Sequence, residues 1–165
     1  MSVLDFERGL SMVWSRKYPQ DFEGPQPEQI VSNAESRLGI RFPASYRAFL
    51  LVLGAGSVGG REFYGITGPE FEHGAVPNAV WLSLSEQASG CMPHGMVAVG
   101  DVGNGDLYVL DMTSPAGDVE APVAIWPAGA TASARPLKLQ HVAPSFGSFF
   151  LHRIEHIDPK ELDGN

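Results

Sequence analysis

Apolar residues near the N-terminus recur at the spacing of one helical face. Ser2 and Asp5 resemble a capping box in which Asp takes the place of Glu, a pattern that opens many helices. The sequence therefore predicts a first helix with four inward-facing side chains. These are Phe6, Leu10, Val13 and Trp14.

Two further helices are predicted before residue 54. Pro27 is well placed as the first residue of the second helix, and Gly39 is well placed as its end. Pro43 precedes a third helical pattern over residues 44–53, which ends at Gly54. Residues 18–26 have the composition of a linker, so three helices are expected before any strand.

The middle of the chain contains short apolar runs typical of strands. Residues 96–100 and 107–110 are apolar at successive positions, which indicates strands covered on both faces. The Asn104-Gly105 pair between them favours a two-residue hairpin turn, since both residues tolerate positive φ. Further strands are predicted at residues 61–66 and 122–126.

Helices return around and after these strands. Asn78 can cap a short helix over residues 79–88, although a strand at residues 80–84 fits the same stretch. Ser145 can cap a final helix with an apolar stripe. The predicted fold is α+β, a single domain over residues 1–165 with helices at both ends and a central, mostly antiparallel or mixed sheet. The stripe comprises Phe146, Phe149, Phe150, Ile154 and Ile157.

Composition narrows the class of protein. The 165 residues include 44% hydrophobic and 18% charged residues, enough for a core without disulfides or metal. The single cysteine, Cys91, excludes an intramolecular disulfide framework and suits a reducing compartment. The N-terminal residues do not resemble a signal peptide, and no apolar run is long enough to span a membrane. We therefore expect a cytoplasmic protein that does not enter a membrane.

The charge is unevenly distributed along the chain. The formal net charge is −8, and residues 62–134 contain carboxylates but no Lys or Arg. Direct binding of nucleic acid requires basic groups, so this segment argues against it. An acidic surface of this length fits a basic protein partner, and it also serves solubility.

Three motifs suggest enzymes or metal sites. Gly54, Gly56 and Gly59 match a dinucleotide-binding spacing, but the predicted helix before them and strand after them are in the wrong order. Ser57, with Asp111 and His141 downstream, follows the residue order of α/β-hydrolases without their β-α alternation.

The third motif pairs His152 and His156 around Glu155, as in inverted zinc-protease helices. Only nine residues follow, although such enzymes need a third ligand well downstream. These three motifs therefore carry little weight, and no catalytic or metal-binding residue is predicted.

Polar residues cluster instead at the predicted hairpin. Asp101, Asn104 and Asp106 lie between two apolar strands, where their side chains either cap backbone N–H groups or meet a partner. Trp81, Trp126, Tyr64 and Tyr108 are aromatics that serve equally in cores and interfaces, and Tyr108 and Trp126, within apolar strands, favour the core.

Several segments together resemble the SUKH superfamily, bacterial toxin-immunity proteins related to a fungal cell-wall synthesis regulator. The first is AESRLGIRFPASYRAFL, residues 34–50, followed by Gly54. The others follow in order over residues 64–66 (YGI), 78–81 (NAVW), 97–111 (VAVGDVGNGDLYVLD), 122–126 (PVAIW) and 145–151 (SFGSFFL). The resemblance covers roughly residues 30–152.

This resemblance implies a non-catalytic α+β protein without a cofactor, which binds and neutralises a toxin, often a nuclease delivered between competing bacteria. The toxin would present a basic surface to the acidic segment. By the family pattern, the partner-binding residues would be Asp101, Asn104 and Asp106, with Glu62 and Tyr64 near the same rim. The alternative is a regulatory or scaffold protein that binds an endogenous partner, as the fungal relatives imply.

Overall fold

The computed structural model describes residues 2–113, 120–134 and 138–162. The helices are α1 (Ser2–Arg16), α2 (Glu28–Leu38), α3 (Ala44–Val52), α4 (Ala79–Ala88), α5 (Phe146–Glu155) and α6 (Pro159–Leu162). The strands are β1 (Gln20–Phe22), β2 (Gly56–Val58), β3 (Arg61–Phe63), β4 (Met96–Asp101), β5 (Leu107–Asp111), β6 (Val123–Trp126) and β7 (Gln140–Ala143). The architecture is α+β, as predicted. Within the described residues, no helix has the length and apolar character needed to cross a bilayer.

The first helix, α1, packs along α5. Phe6, Leu10 and Val13 of α1 are buried as predicted. Trp14 is 60% exposed, so its predicted inward position is wrong. Gly9 permits close approach of the helices, because a Cβ there would lie 2.8 Å from the Phe150 ring.

A small antiparallel sheet with strand order β1-β2-β3 was not predicted. Its first strand lies within the expected linker, so the prediction of three helices before any strand is wrong. Its second strand lies within the glycine-rich segment, where Gly56 pairs with Phe22 at a φ of 144°. A side chain at Gly56 would collide with the backbone of Asp21. Glycine therefore allows the strands to approach.

The larger sheet is antiparallel, in the order β4-β5-β6-β7. A β-bulge shifts its register between Ala98 and Gly100 of β4. At the outer edge of β4, the Ala98 N–H donates to Ser83 Oγ of α4 at 2.9 Å. The next carbonyl, of Val99, accepts a hydrogen bond from the Tyr64 N–H at 2.9 Å. The bulged edge is thus paired with groups from α4 and from the segment after β3, which protects it from pairing with another chain.

Aromatic rings from four elements form the centre of the core. Phe63 of β3 lies 4.9 Å from Phe150, and Phe49 of α3 lies 5.0 Å from Phe146, between ring centroids. Phe6 of α1 completes the cluster at 5.1 Å from Phe150. All five side chains are buried, so the two terminal helices and the small sheet share one core.

Two of the predicted helix caps, Asn78 and Ser145, agree with the structure, while Pro27, predicted as the first residue of its helix, is the N-cap of α2. Asn78 accepts a hydrogen bond from the Trp81 N–H at 3.0 Å, which establishes α4 as a helix. Ser145 accepts one from the Ser148 N–H at 3.1 Å at the start of α5. The buried residues of this helix include the predicted phenylalanines and Ile154.

The turn between β4 and β5 differs from the prediction. The hairpin exists, but its loop covers residues 102–106 and is closed by a hydrogen bond from the Val102 N–H to the Asp106 carbonyl at 3.1 Å. Positive φ occurs at Gly103 (109°) and Gly105 (95°) and not at Asn104. The predicted two-residue turn is therefore wrong. Gly103, in addition to Gly105, adopts positive φ, and this permits a longer connection.

Candidate partner-binding site

The β4–β5 loop presents three polar side chains at one end of the larger sheet. Asp101 ends β4, Asn104 lies at the tip and Asp106 immediately precedes β5. Asp101 and Asn104 are exposed, and Asp106 is half-buried. Together with Glu62, which is exposed on β3, these residues are called the acidic rim below.

Hydrogen bonds to backbone fix the loop. The Asp101 carboxylate accepts from the Gly103 N–H, and Asn104 Oδ1 accepts from the Asp106 N–H at 3.0 Å. Asp106 Oδ1 accepts from the Ala128 N–H at 2.8 Å, which ties the loop to the segment after β6. Each aspartate uses one oxygen in these bonds, so the rim carries negative charge in a defined position while its loop stays ordered.

Tyr64 connects the rim to the core. Its N–H bonds to β4 as described above, and its carbonyl accepts a hydrogen bond from the Tyr46 hydroxyl at 3.0 Å. Burial raises the pKa of Tyr64 to about 12, and the negative charges of Glu62 and Asp101 act in the same direction. The structure thus brings Glu62, Tyr64 and Asp101 together. Because Tyr64 is only 3% exposed, it supports the rim from inside and offers little contact area.

A groove on the small sheet extends the acidic surface. It has a volume of about 430 Å³ and is lined by Asp21, Glu23 and Glu62, together with Phe22, Ser57 and neighbouring backbone. Asp21 and Glu23 were not predicted as site residues, because they fall in the expected linker and because residues 1–61 as a whole contain seven Lys or Arg against six Asp or Glu. Residues 20–23 give no alternation of polar and apolar positions, since Gln20 and Asp21 are both polar, so the sequence carried no signal for a strand there.

The described ion pairs do not involve these carboxylates. Arg61, beside Glu62 in sequence, donates from Nη2 to the His156 carbonyl at 2.9 Å. In the part of the chain that the structure describes, no Lys or Arg forms an ion pair with the acidic rim or the groove. The ion pairs found there are Arg8–Asp5, Arg37–Glu72, Arg47 with Glu28 and Glu35, and His141–Asp111. In the described part of the chain, the carboxylates of the rim and groove are therefore not held in ion pairs with Lys or Arg.

The glycine motif and Ser57 do not have the geometry of a nucleotide site or a nucleophile elbow. The motif lies between α3 and β3, the reverse of the strand–loop–helix order that holds a pyrophosphate. Ser57 lies within β2, paired with Asp21 and Glu62, and not on a turn between strand and helix. Asp111 and His141 do meet, at 3.7 Å, but in the other sheet.

The two histidines of α5 stack on each other, with ring centroids 4.1 Å apart. His156 Nδ1 lies 2.8 Å from the His152 carbonyl oxygen, so one ring nitrogen contacts backbone. Among the described residues, no three His, Cys, Asp or Glu side chains are grouped so that they could hold a metal ion.

Comparison with known families gives one match. The family model described as SMI1-KNR4 cell-wall, SUKH_6, matches residues 28–150, about three quarters of the chain. The matched range includes β4, β5 and the acidic rim, and it excludes α1 and β1. No curated protein matches the sequence.

Proposed function

Since the chain belongs to the SUKH superfamily, through the SMI1-KNR4 family, we propose that it is a non-catalytic immunity protein that binds and neutralises a toxin. Family membership is consistent with toxin immunity as a class of function. The specific proposal is that the toxin domain is basic, that it is a nuclease of a contact-dependent or polymorphic toxin system, and that it is bound in the cytoplasm.

The observation that carries this proposal is the group of carboxylates in the acidic rim and the adjoining groove, none of which is ion-paired with Lys or Arg in the described part of the chain. A nuclease must hold a phosphate backbone and therefore needs a basic surface. Carboxylates at fixed positions can form ion pairs with the same cationic groups that bind phosphates. In this mechanism Asp101 and Asp106 meet the toxin's basic groups first, while Asp21, Glu23 and Glu62 line the recess beside them.

Long-range attraction should govern how fast the two proteins meet. Complementary fields raise association rates, and salt screens them over about 10 Å at 0.1 M ionic strength. Loss of rim charge should therefore reduce the association rate and its salt dependence more than it changes the dissociation rate.

The test is the double substitution Asp101→Asn with Asp106→Asn. Asparagine keeps the Oδ1 acceptor used in each loop hydrogen bond, so charge is removed while the loop geometry is retained. We expect association with the toxin domain, measured by surface plasmon resonance, to slow by up to about tenfold at low salt. The slope of association rate against salt should also become flatter.

A matched control removes the same charge elsewhere. Glu7→Gln with Glu155→Gln changes two exposed carboxylates, on α1 and α5, and should have a much smaller effect. If the rim variant associated as fast as the wild type, with the same salt dependence, Asp101 and Asp106 would be excluded from the interface. The toxin domain for these measurements would be identified by affinity capture from native cells and tested for inhibition in vitro.

The alternative function is that of a regulatory or scaffold protein with an endogenous partner. The cell-wall description of the matching family favours this possibility. The two functions differ in what capture recovers. A secreted toxin domain whose activity the protein inhibits supports immunity, while recovery of intracellular housekeeping proteins alone supports the scaffold role.

A further inference from the structure

A second groove, mostly apolar, lies on the other side of the β4–β5 loop. It has a volume of about 300 Å³ and runs between α4, the loop and the segment after β6. This surface is called the apolar groove below. Its main lining residues are Leu82, Glu86, Cys91, Leu107, Trp126 and Ala128.

Hydrogen bonds hold the walls of the apolar groove. The Trp126 indole N–H donates to the Cys91 carbonyl at 2.9 Å, joining β6 to the segment after α4. The Ala132 N–H donates to the Gly90 carbonyl at 2.9 Å, and the Asp106 carboxylate binds the Ala128 N–H as described above. The groove is therefore preformed, and a ligand would bind it without ordering new structure.

The charges around the apolar groove have one sign. Glu86 is the charged residue among those that line it, and Asp106 stands at its edge. All lining residues come from residues 62–134, which contain no Lys or Arg. In the described part of the chain, no Lys or Arg pairs with Glu86 or Asp106, so a complementary cation would come from another molecule.

We propose that the apolar groove receives one large apolar side chain of a basic protein segment, with flanking Arg or Lys residues that pair with Glu86 and Asp106. The volume lies at the small end of ligand sites, about 300–1,000 Å³, which suits a side chain rather than a whole helix. Asp106 borders both this groove and the acidic rim. A partner bound at the rim thus extends directly into the groove, and the inference rests on the proposed function in this respect.

Trp126 provides a reporter inside the groove. The chain has three tryptophans, so a ¹⁵N spectrum contains three indole N–H signals, assigned with Trp14→Phe and Trp81→Phe variants. The probe is the peptide Lys-Arg-Leu-Arg-Lys, compared with Lys-Arg-Ser-Arg-Lys and Glu-Asp-Leu-Asp-Glu. We expect the first peptide to shift the Trp126 signal saturably and to leave that of exposed Trp14 unchanged. The serine peptide should bind at least about tenfold more weakly, because it cannot bury an apolar side chain.

Cys91 allows the groove to be blocked. It is the single cysteine of the chain and lines the groove, so N-ethylmaleimide should fill part of the site and abolish the shift. The same treatment of Cys91→Ser protein should leave binding intact. Glu86→Gln should weaken binding of the basic peptide severalfold while the protein remains folded.

The outcomes separate this inference from the proposed function. Equal binding of the basic and acidic peptides, or a Trp126 shift that survives alkylation of Cys91, would overturn the groove proposal. So would toxin binding that depends on the acidic rim but is unaffected by Glu86→Gln and by alkylation, and the immunity function would then stand alone. Specific peptide binding by a protein that inhibits no toxin would support the groove and contradict the immunity function.

Discussion

Replacing Ser83 tests the contact that holds the bulged edge of β4. Ser83 is fully buried on α4, and its Oγ accepts the Ala98 N–H at 2.9 Å. Ser83→Ala leaves this N–H buried without its acceptor, which costs about 1–3 kcal/mol. For a chain of this size, each kcal/mol lowers Tm by about 2–4 °C.

The measurement is urea unfolding followed by tryptophan fluorescence and circular dichroism, with thermal unfolding alongside. We expect a lower midpoint with an unchanged m-value, because the exposed area on unfolding stays the same. Ser85→Ala is the matched control, since Ser85 is exposed on the same helix. Its effect should stay within about 0.5 kcal/mol.

The same variant should affect the acidic rim through β4. The Ala98 amide loses its acceptor in this variant, and the Tyr64 amide bonds to the Val99 carbonyl within the bulge. Hydrogen exchange at both amides should therefore accelerate more than at the α5 amides. If Ser83→Ala were no less stable than Ser85→Ala, the hydrogen bond would make no net contribution to the free energy of unfolding. In that case α4 would not stabilise the bulge through this hydrogen bond.

Two further predictions concern stability. Glu120 accepts hydrogen bonds from the Ser45 N–H and Oγ at 2.8 and 2.9 Å, yet burial raises its pKa above the ordinary 4.5. Its protonated form is thus favoured by folding, so its contribution is fully present below pH 4.5 and is lost as pH rises through the raised pKa. Urea unfolding across pH 4–7 should show this decline in the wild type relative to Glu120→Gln, and parallel pH profiles would contradict it. Phe63→Ala should cost about 3–5 kcal/mol in the same unfolding assay at pH 7, because Phe63 is fully buried in the aromatic cluster. Trp14→Ala, at a 60% exposed position, is its control and should cost far less; equal losses would show that Phe63 is not central to the core.

Helices were predictable where residues a few positions apart in the sequence determine both the apolar face and the cap. The stripe of α5 and the caps at Asn78 and Ser145 depend on residues a few positions apart, and the structure confirms them. Trp14 follows the spacing of the buried face of α1, but it lies about 80° around the helix from Phe6, at the border of that face, and is 60% exposed. Helical spacing therefore identified the faces of the helices and not the limits of their contacts.

The short strands could not be predicted in the same way. β1 has only three residues, and β7 is largely exposed, so neither gives a usable alternation. The glycine spacing at residues 54–59 matches a nucleotide-binding loop. In the structure, glycine is required at position 56 because the backbone of β1 approaches it closely. Pairing between segments distant in sequence determined these elements.

The candidate site was predictable only in part. The position of Asp101, Asn104 and Asp106 on a hairpin followed from two apolar runs separated by polar and glycine residues. Besides burial, Glu62 and Asp101 both raise the pKa of Tyr64, while the burial of Tyr64 does not favour a contact role. Asp21 and Glu23 join Glu62 only through strand pairing, and the apolar groove joins residues 82–131 through tertiary hydrogen bonds.

The absence of Lys and Arg from residues 62–134 also determines how a complex could be mapped chemically. Trypsin cuts after Arg61 and next after Lys138, because Pro136 blocks cleavage after Arg135, so the acidic rim and the apolar groove share one long peptide. Amine-reactive cross-linkers find no side chain to modify in residues 62–134 of that peptide. A carbodiimide, in contrast, activates its carboxylates, and the amine that captures them comes from Lys17, Lys138, Lys160, the N-terminus or another protein. A cross-link from this peptide to a foreign lysine would therefore identify both the partner and the face that it covers.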